Sequence, residues 1–363
     1  MIYSIREIQT DQRIQKTAGI KARDDADAIL TSAGVQRIDI PSSGERHKKS
    51  GKIQKIKVHF SVLPVWKEKL SILRPGDTIV VQFPIMEHSI FLYHQFRRLK
   101  KRGISVVLLI HDLELLRAAK RSNTSVLKKL RIVLEEKQIL KNCSRIIAHN
   151  PKMIQCMCDL GIPKEKQVSL DLFDYLIPEF NCGKMESRAI GKDLPVIIAG
   201  NLRPHKSGYV YKLHGCYRFH LFGVGYEGES DEEIRYFGSF PPDELPYALS
   251  GSFGLVWDGE EVKTCQGVYG EYLKINNPHK VSLYLASGIP VIIWKQAALA
   301  DYVVKHRCGI AVDSLDEIPD AIRTMSAETY MEYRANAAQI GEKLRGGYYL
   351  KQALSACISQ DRS

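Results

Sequence analysis

Asn276-Asn277-Pro278-His279-Lys280-Val281-Ser282-Leu283-Tyr284-Leu285-Ala286-Ser287-Gly288-Ile289-Pro290-Val291-Ile292-Ile293, preceded by Phe253-Gly254-Leu255-Val256-Trp257-Asp258, decides how this chain is read. The pattern predicts a buried strand, a polar loop, a short helix that starts at a proline and stops at a glycine, and a second buried strand. Two strand ends and a helix N-terminus therefore share one loop. In an open parallel sheet such a place suits a phosphate-bearing ligand, because unpaired helix N–H groups point outward and the helix dipole favours anions. Lys280, in the first turn, adds a full positive charge. An ordinary strand-helix-strand crossover of a doubly wound protein would show much of the same pattern.

The stretch resembles the sugar-nucleotide site of GT-B glycosyltransferases, whose second domain often carries P-x-K-x-x-E-Y-x-A-x-G-x-P-V-I. Pro278, Lys280, Tyr284, Ala286, Gly288, Pro290, Val291 and Ile292 match. Leu283 stands where many relatives have the glutamate that holds the donor ribose, a departure that bears on ribose recognition and on retaining stereochemistry.

A length of 363 residues exceeds one ordinary core and suits two domains of about 150 to 180 residues. With 44% hydrophobic and 26% charged residues the composition is that of a globular protein. No stretch approaches the roughly 18 uninterrupted apolar residues of a membrane span. Met1-Ile2-Tyr3-Ser4-Ile5-Arg6 begins as a strand and lacks a signal-peptide core, so a cytoplasmic location is expected. The eight cysteines, at 143, 156, 158, 182, 216, 265, 308 and 357, lack the spacing of a zinc site or a disulfide framework.

The net charge of +11 is unevenly placed: residues 1–180 carry 32 Lys and Arg against 19 Asp and Glu, and the remainder 20 against 22. The clusters are Arg46-His47-Lys48-Lys49 with Lys52, Lys55 and Lys57; Arg97-Arg98 with Lys100-Lys101-Arg102; and Lys120-Arg121 with Lys128, Lys129 and Arg131. Such a face attracts anionic lipid, at about 1 kcal/mol per residue near a membrane surface, or polyanionic nucleic acid. No nucleic-acid fingerprint accompanies it, so the expectation is an anionic membrane surface on the inner face of the cell membrane, or simply a solvated face.

In the first half, strand-length apolar runs at Lys57–Phe60, Asp77–Phe83, Ile104–Ile110 and Arg145–His149 alternate with helix candidates at Thr17–Ala33, Val65–Ser71, Ser89–Arg102, Ser125–Lys141 and Pro151–Leu160. Alternation argues for a parallel sheet with helices on both faces. Phe180–Pro195 is polar, glycine-bearing and aperiodic, as a linker should be. Alternation then resumes, with strands at Val196–Ala199, Tyr217–Phe222, Ile234–Phe237, Gly254–Trp257, Val291–Trp294 and Gly309–Val312. The expected architecture is α/β, two Rossmann-like domains facing across a cleft: 1–180 for the acceptor and 181–345 for the sugar nucleotide. The resemblance implies that a last helix, within 346–363, crosses back to the first domain.

Ile198-Ala199-Gly200-Asn201-Leu202-Arg203-Pro204-His205-Lys206-Ser207-Gly208 is a strand entering a basic loop. Its backbone N–H groups with Arg203 and Lys206 suit a diphosphate, whose departing charge they would neutralise. The loop is similar to the A-G-N-L-x-K-S loop of a narrower group, bacterial O-antigen galactofuranosyltransferases and the streptococcal glucosyltransferases that extend glycans on serine-rich adhesins. In GT-B donor domains the loops at Gly223-Val224 and Phe240 would hold the nucleobase, although a phenylalanine beside a proline turn is more often simple packing. The donor-side candidates are Asn201, Arg203, Lys206, Ser207, Gly223, Val224, Phe240, Asp258, Asn277 and Lys280.

Thr17-Ala18-Gly19-Ile20-Lys21-Ala22-Arg23-Asp24-Asp25 resembles the S/T-A-x-x-K-A-x-x-D stretch of the same group, which puts Thr17, Lys21 and Asp24 on the acceptor side, with Gln82. An acceptor hydroxyl must lose its proton as it attacks the sugar, so a carboxylate or imidazole is needed. Asp112 and His111, at a strand end, are the best-placed pair, and Asp24 and Asp25 are alternatives. Asp112 reads equally well as a helix cap. No D-x-D element is placed to hold manganese, so no metal is implied and the UDP-sugar is a substrate. The resemblance implies a transferase moving glucose, galactose or galactofuranose to a saccharide hydroxyl, lipid-linked or protein-linked, and leaves room for a homo-oligomer. A nucleotide-sugar epimerase of the same shape and a non-catalytic partner of a true transferase are the competing readings.

Overall fold

The computed structural model describes residues 1–9, 18–42, 62–86, 91–118, 132–215 and 217–362. The chain divides into two compact units, Met1–Leu170 with Leu350–Ser363, and Asp171–Tyr349. The first is built on β1 (Ile2–Gln9), β2 (Gln36–Ser42), β3 (Thr78–Phe83), β4 (Ser105–Ile110), β5 (Arg145–Ala148) and β6 (Gln167–Ser169), all parallel in the order β2-β1-β3-β4-β5-β6. Helices cover its faces, so the central strands bury both sides and read as unbroken runs such as Val106-Val107-Leu108-Leu109-Ile110. The helix Pro151–Asp159 shows why the punctuation was readable: the Asn150 side chain accepts the Met153 N–H at 2.9 Å, and proline follows at the first helical position.

The second unit holds β7 (Val196–Asn201), β8 (Phe219–Val224), β9 (Ile234–Tyr236), β10 (Gly254–Val256), β11 (Val291–Trp294) and β12 (Gly309–Val312). They are parallel in the order β12-β11-β10-β7-β8-β9, so the strand order reverses between β7 and β10. The helix His279–Ala286 enters at Pro278 and ends in a Schellman motif. Gly288, at φ +66°, donates to Leu285 O, and the Ile289 N–H to Tyr284 O, both at 2.9 Å.

Tyr284 explains the reversal point. Its buried hydroxyl accepts the Ala199 N–H of β7 at 2.8 Å and faces the carbonyls of Leu255 at 3.3 Å and Ile197 at 3.4 Å. β7 and β10 share one registered pair, Ile197 opposite Gly254, and the phenol stands in for the ladder beyond it. Gly254 is required because a Cβ there would lie 2.1 Å from the Tyr284 ring.

The expected boundary moves. Residues 171–175 belong to the second unit because Asp171 and Phe173 offer their carbonyls to Asn277 and Ser282, and Asp174 accepts the Tyr349 N–H. The stretch expected as a linker contains the helix Cys182–Glu186 and an Ile190–Gly251 bridge, held there by Arg188 donating to Pro246 O and Ser287 O. β2 and β6 carry little sequence signal: β2 lies at the sheet edge with only Asp39 between its buried Ile38 and Ile40 and with Gln36 and Arg37 exposed before them, and β6 has three residues. The strand expected at Lys57–Phe60, two of the three basic clusters, and parts of the helices expected at Thr17–Ala33, Ser89–Arg102 and Ser125–Lys141 lie outside the described residues. Among those described, no helix is long and apolar enough to cross a membrane.

Tyr284→Phe leaves the Ala199 N–H without its buried acceptor and should cost the second unit about 1 to 3 kcal/mol. A thermal midpoint equal to the wild type's would show the hydroxyl to be dispensable.

Candidate functional site

In the second unit, the loops after β7 and β10 and the start of the His279–Ala286 helix come together where the strand order reverses, the place at which open α/β sheets bind ligands. Lys280 is the hub. Its Nζ lies 2.9 Å from Asp258 Oδ1 and 3.2 Å from Trp257 O, and its Cε passes so close to Gly200 that a Cβ there would sit 3.3 Å away. Lys280 and Tyr284 are four residues apart on one helix face, so the phenol lodged in the sheet also fixes where the ammonium emerges.

Beside it, a Cβ on Gly223 would fall 1.8 Å from Gly200 O, and one on Gly225 would fall 2.4 Å from Arg203 Cγ. The ends of β7 and β8 thus form a glycine floor bordered by the Lys280 and Arg203 side chains. Asn201 shapes the loop: its Oδ1 accepts the Arg203 N–H at 3.1 Å, and its carbonyl accepts the buried Ser207 hydroxyl at 2.8 Å. Lys206 is half-buried, with Nζ 5.5 Å from the centre of the Tyr269 ring, and its carbonyl accepts the Gly259 N–H at 2.9 Å. Arg203 is exposed.

Other candidates have structural partners. Asn277 is buried and donates to Asp171 O at 3.0 Å, and Ser207 closes its own loop. Val224 is exposed at the end of β8, while Phe240 is half-buried with its ring 6.1 Å from that of Phe222. Leu283 is buried.

The second set of candidates lies at the carboxyl ends of the strands in the first unit. Gln82, at the end of β3, is buried; its Nε2 donates to Asp27 Oδ1 at 2.7 Å and to Arg23 O at 3.2 Å, and its Oε1 lies 2.6 Å from His111 Nε2. Asp112 accepts the Leu113 N–H at 2.9 Å and pairs with Arg117 at 2.5 Å. Asp112 thus turns back on the residue before the Glu114–Ala118 helix, whose first N–H groups go to Glu136 instead. Lys21 and Asp25 form a buried ion pair at 2.6 Å, whereas Asp24 is exposed. Thr17 lies outside the described residues.

Four residues here escaped the sequence. Arg23 donates to Pro84 O. Glu136 is buried and takes the N–H groups of Glu114 at 3.1 Å and Leu115 at 2.7 Å, holding the start of the Glu114–Ala118 helix; burial pushes its carboxyl up to about 8. Burial likewise raises Asp27 to about 6 against the opposing charge of Arg6, and pushes His149 down to about 4. Asp27 was masked by Asp24 and Asp25 beside it, and Glu136 by reading as one more charge on a solvated helix.

Residues 3–172 match the N-terminal domain, and residues 196–357 the C-terminal domain, of the glucosyltransferase 3-like proteins. The chain belongs to the glucosyltransferase 3-like family. Within reach of it by sequence are the β-1,6-galactofuranosyltransferase WbbI of Escherichia coli (strain K12), 35% identical over 354 residues and 95% of both chains, and glucosyltransferase 3 of Streptococcus parasanguinis, 25% identical over 79% of this chain and 80% of that one. In fold the chain is similar to a sucrose-phosphate synthase from Thermosynechococcus elongatus (TM-score 0.64, 11% identity, all of both chains). It is also similar to an α,α-trehalose-phosphate synthase (UDP-forming) from Burkholderia vietnamiensis (TM-score 0.60, 9% identity, 99% and 100% covered). This glucosyltransferase 3-like chain thus has two Rossmann-like domains of the GT-B class.

Glu136 provides a check on the first-unit network. Its folded carboxyl titrates near 8 against an ordinary 4.5, so the stability tied to its proton is fully present below the lower value and lost as pH rises through the higher. The stability of the wild type relative to Glu136→Gln should therefore fall between about pH 4.5 and 8, by up to about 1.4 kcal/mol per pH unit, and level off above. A difference that stays constant in thermal melts across that range would contradict the assignment.

Proposed function

We propose that this chain is a UDP-sugar-dependent hexosyltransferase of bacterial surface polysaccharide synthesis, with the galactofuranosyl transfer named for its 35%-identical relative as the first reading of the sugar. One observation carries it: the Lys280 ammonium, over the Gly200-Gly223 floor at the sheet's reversal point, where helix N–H groups and Arg203 also border the site. The donor pyrophosphate would take Lys280 from Asp258, which holds the cation in place until then. Arg203, Lys206 and the loop N–H groups would complete the grip, and Val224 with Phe240 would face the nucleobase.

In the transfer, the acceptor oxygen bonds to C1 of the sugar as the bond from C1 to the β-phosphate oxygen breaks. UDP leaves with the electron pair, and the hydroxyl proton goes to a base. His111 suits that task better than Asp112, whose two carboxylate oxygens are already engaged by Arg117 and the Leu113 N–H. The family's transferases disfavour the epimerase and the non-catalytic partner. For the acceptor we favour a lipid-linked glycan, since the helix Leu92–Lys101 shows Arg97, Arg98 and Lys101 to solvent and carries no acidic residue.

Radiolabelled UDP-galactofuranose, UDP-galactose and UDP-glucose separate the readings: label should pass to a glycan, whereas isomerised donor or mere retention would sink the transferase. Lys280→Ala should weaken UDP binding about 5- to 150-fold, measured by calorimetry, and unchanged affinity would remove Lys280 from the site. His111→Gln should lower turnover about 10²- to 10⁴-fold with UDP affinity retained. Binding to anionic vesicles should fade as salt rises, and salt-insensitive binding would count against the lipid-facing helix.

A further inference from the structure

We propose that Asp27 is a positioning residue which, through the Gln82 amide, sets the nitrogen of His111 that carries the proton; this rests on His111 being the proton acceptor. Gln82 Nε2 meets two acceptors, Asp27 Oδ1 at 2.7 Å and Arg23 O at 3.2 Å. An ionised carboxylate and a carbonyl can only accept, so the amide nitrogen must face them and the amide oxygen must face the imidazole. That oxygen also only accepts. At 2.6 Å it requires a hydrogen on His111 Nε2, and the lone pair of the neutral ring then lies on Nδ1.

The opposite amide orientation would aim Oε1 at both the carboxylate and the Arg23 carbonyl. Protonated Asp27 could donate to that oxygen, so it is the ionised carboxylate, together with the Arg23 carbonyl, that holds the amide in the first orientation. The charged groups facing Asp27 are Arg6, at 3.6 Å, with Arg23 and Asp24, while burial favours its protonated form. On the His111 side stand Asp112, which follows it in the chain, and His149, which hydrogen-bonds to the backbone of Ile110 and His111. Gln82 and Asp27 are both buried, so water does not offer either a ready substitute partner.

The test is the tautomer itself. Full-length chain with ¹⁵N-labelled histidine is compared as wild type and Asp27→Asn at about pH 7.5, by long-range ¹H–¹⁵N correlation, with His111→Gln assigning the signal. Wild-type His111 should be the Nε2–H form. Asp27→Asn, whose amide can turn Gln82 around, should shift it toward Nδ1–H and lower kcat about 10- to 100-fold, with the donor KM and UDP affinity nearly unchanged. A wild-type ring protonated on Nδ1, or a variant that keeps the wild-type pattern whatever its kcat, would overturn the proposal. Should Asp27→Asn not fold, Gln82→Met removes the same link and should also abolish the Nε2–H preference, and retention of that preference would overturn it equally. Wild-type turnover by His111→Gln would instead strike the base assignment on which the proposal stands.

Discussion

A single phenol organises the second unit of this protein. Parallel strands normally pair along their length, yet β7 and β10 share one registered pair before Tyr284 intervenes and supplies the hydrogen bonds that a neighbouring strand would have given. A buried N–H without an acceptor is costly, so the wedge is tolerated only because its hydroxyl answers both strands. One consequence is steric: Gly254 must lack a side chain. The other is positional, because a helix pinned through Tyr284 carries Lys280 one turn earlier on the same face and delivers its ammonium to the strand ends.

The Lys280–Asp258 pair shows how a cation is kept ready without being left bare. Both side chains are largely shielded, 14% and 12% exposed, where an unpaired charge would be expensive. Pairing offsets that cost. The glycines at the ends of β7 and β8 complete the arrangement by leaving backbone, rather than side chains, beside Lys280.

In the first unit the same physics is applied to acids. Burial disfavours the ionised forms of Asp27 and Glu136, and each is compensated by directed N–H donors: the Gln82 amide for one, the start of the Glu114–Ala118 helix for the other. These carboxyls touch the elements that present His111 and Asp112. They act as fixings for those elements.

The alternation of apolar runs, the Pro278 entry and the Gly288 exit were legible from the chain because buried parallel strands and helix caps constrain residue type locally. So was Lys280, whose charge stands out in an apolar helix. What no spacing could show is that Asn277 and Ser207 serve the scaffold, that Phe173 and Asp174 belong with the second unit, or that Asp27, Gln82 and His111 form one chain of hydrogen bonds across 84 positions. Local preference writes itself into sequence at short range. Partnership between buried polar groups is decided by which strand ends the fold brings side by side, and only the tertiary structure holds that information.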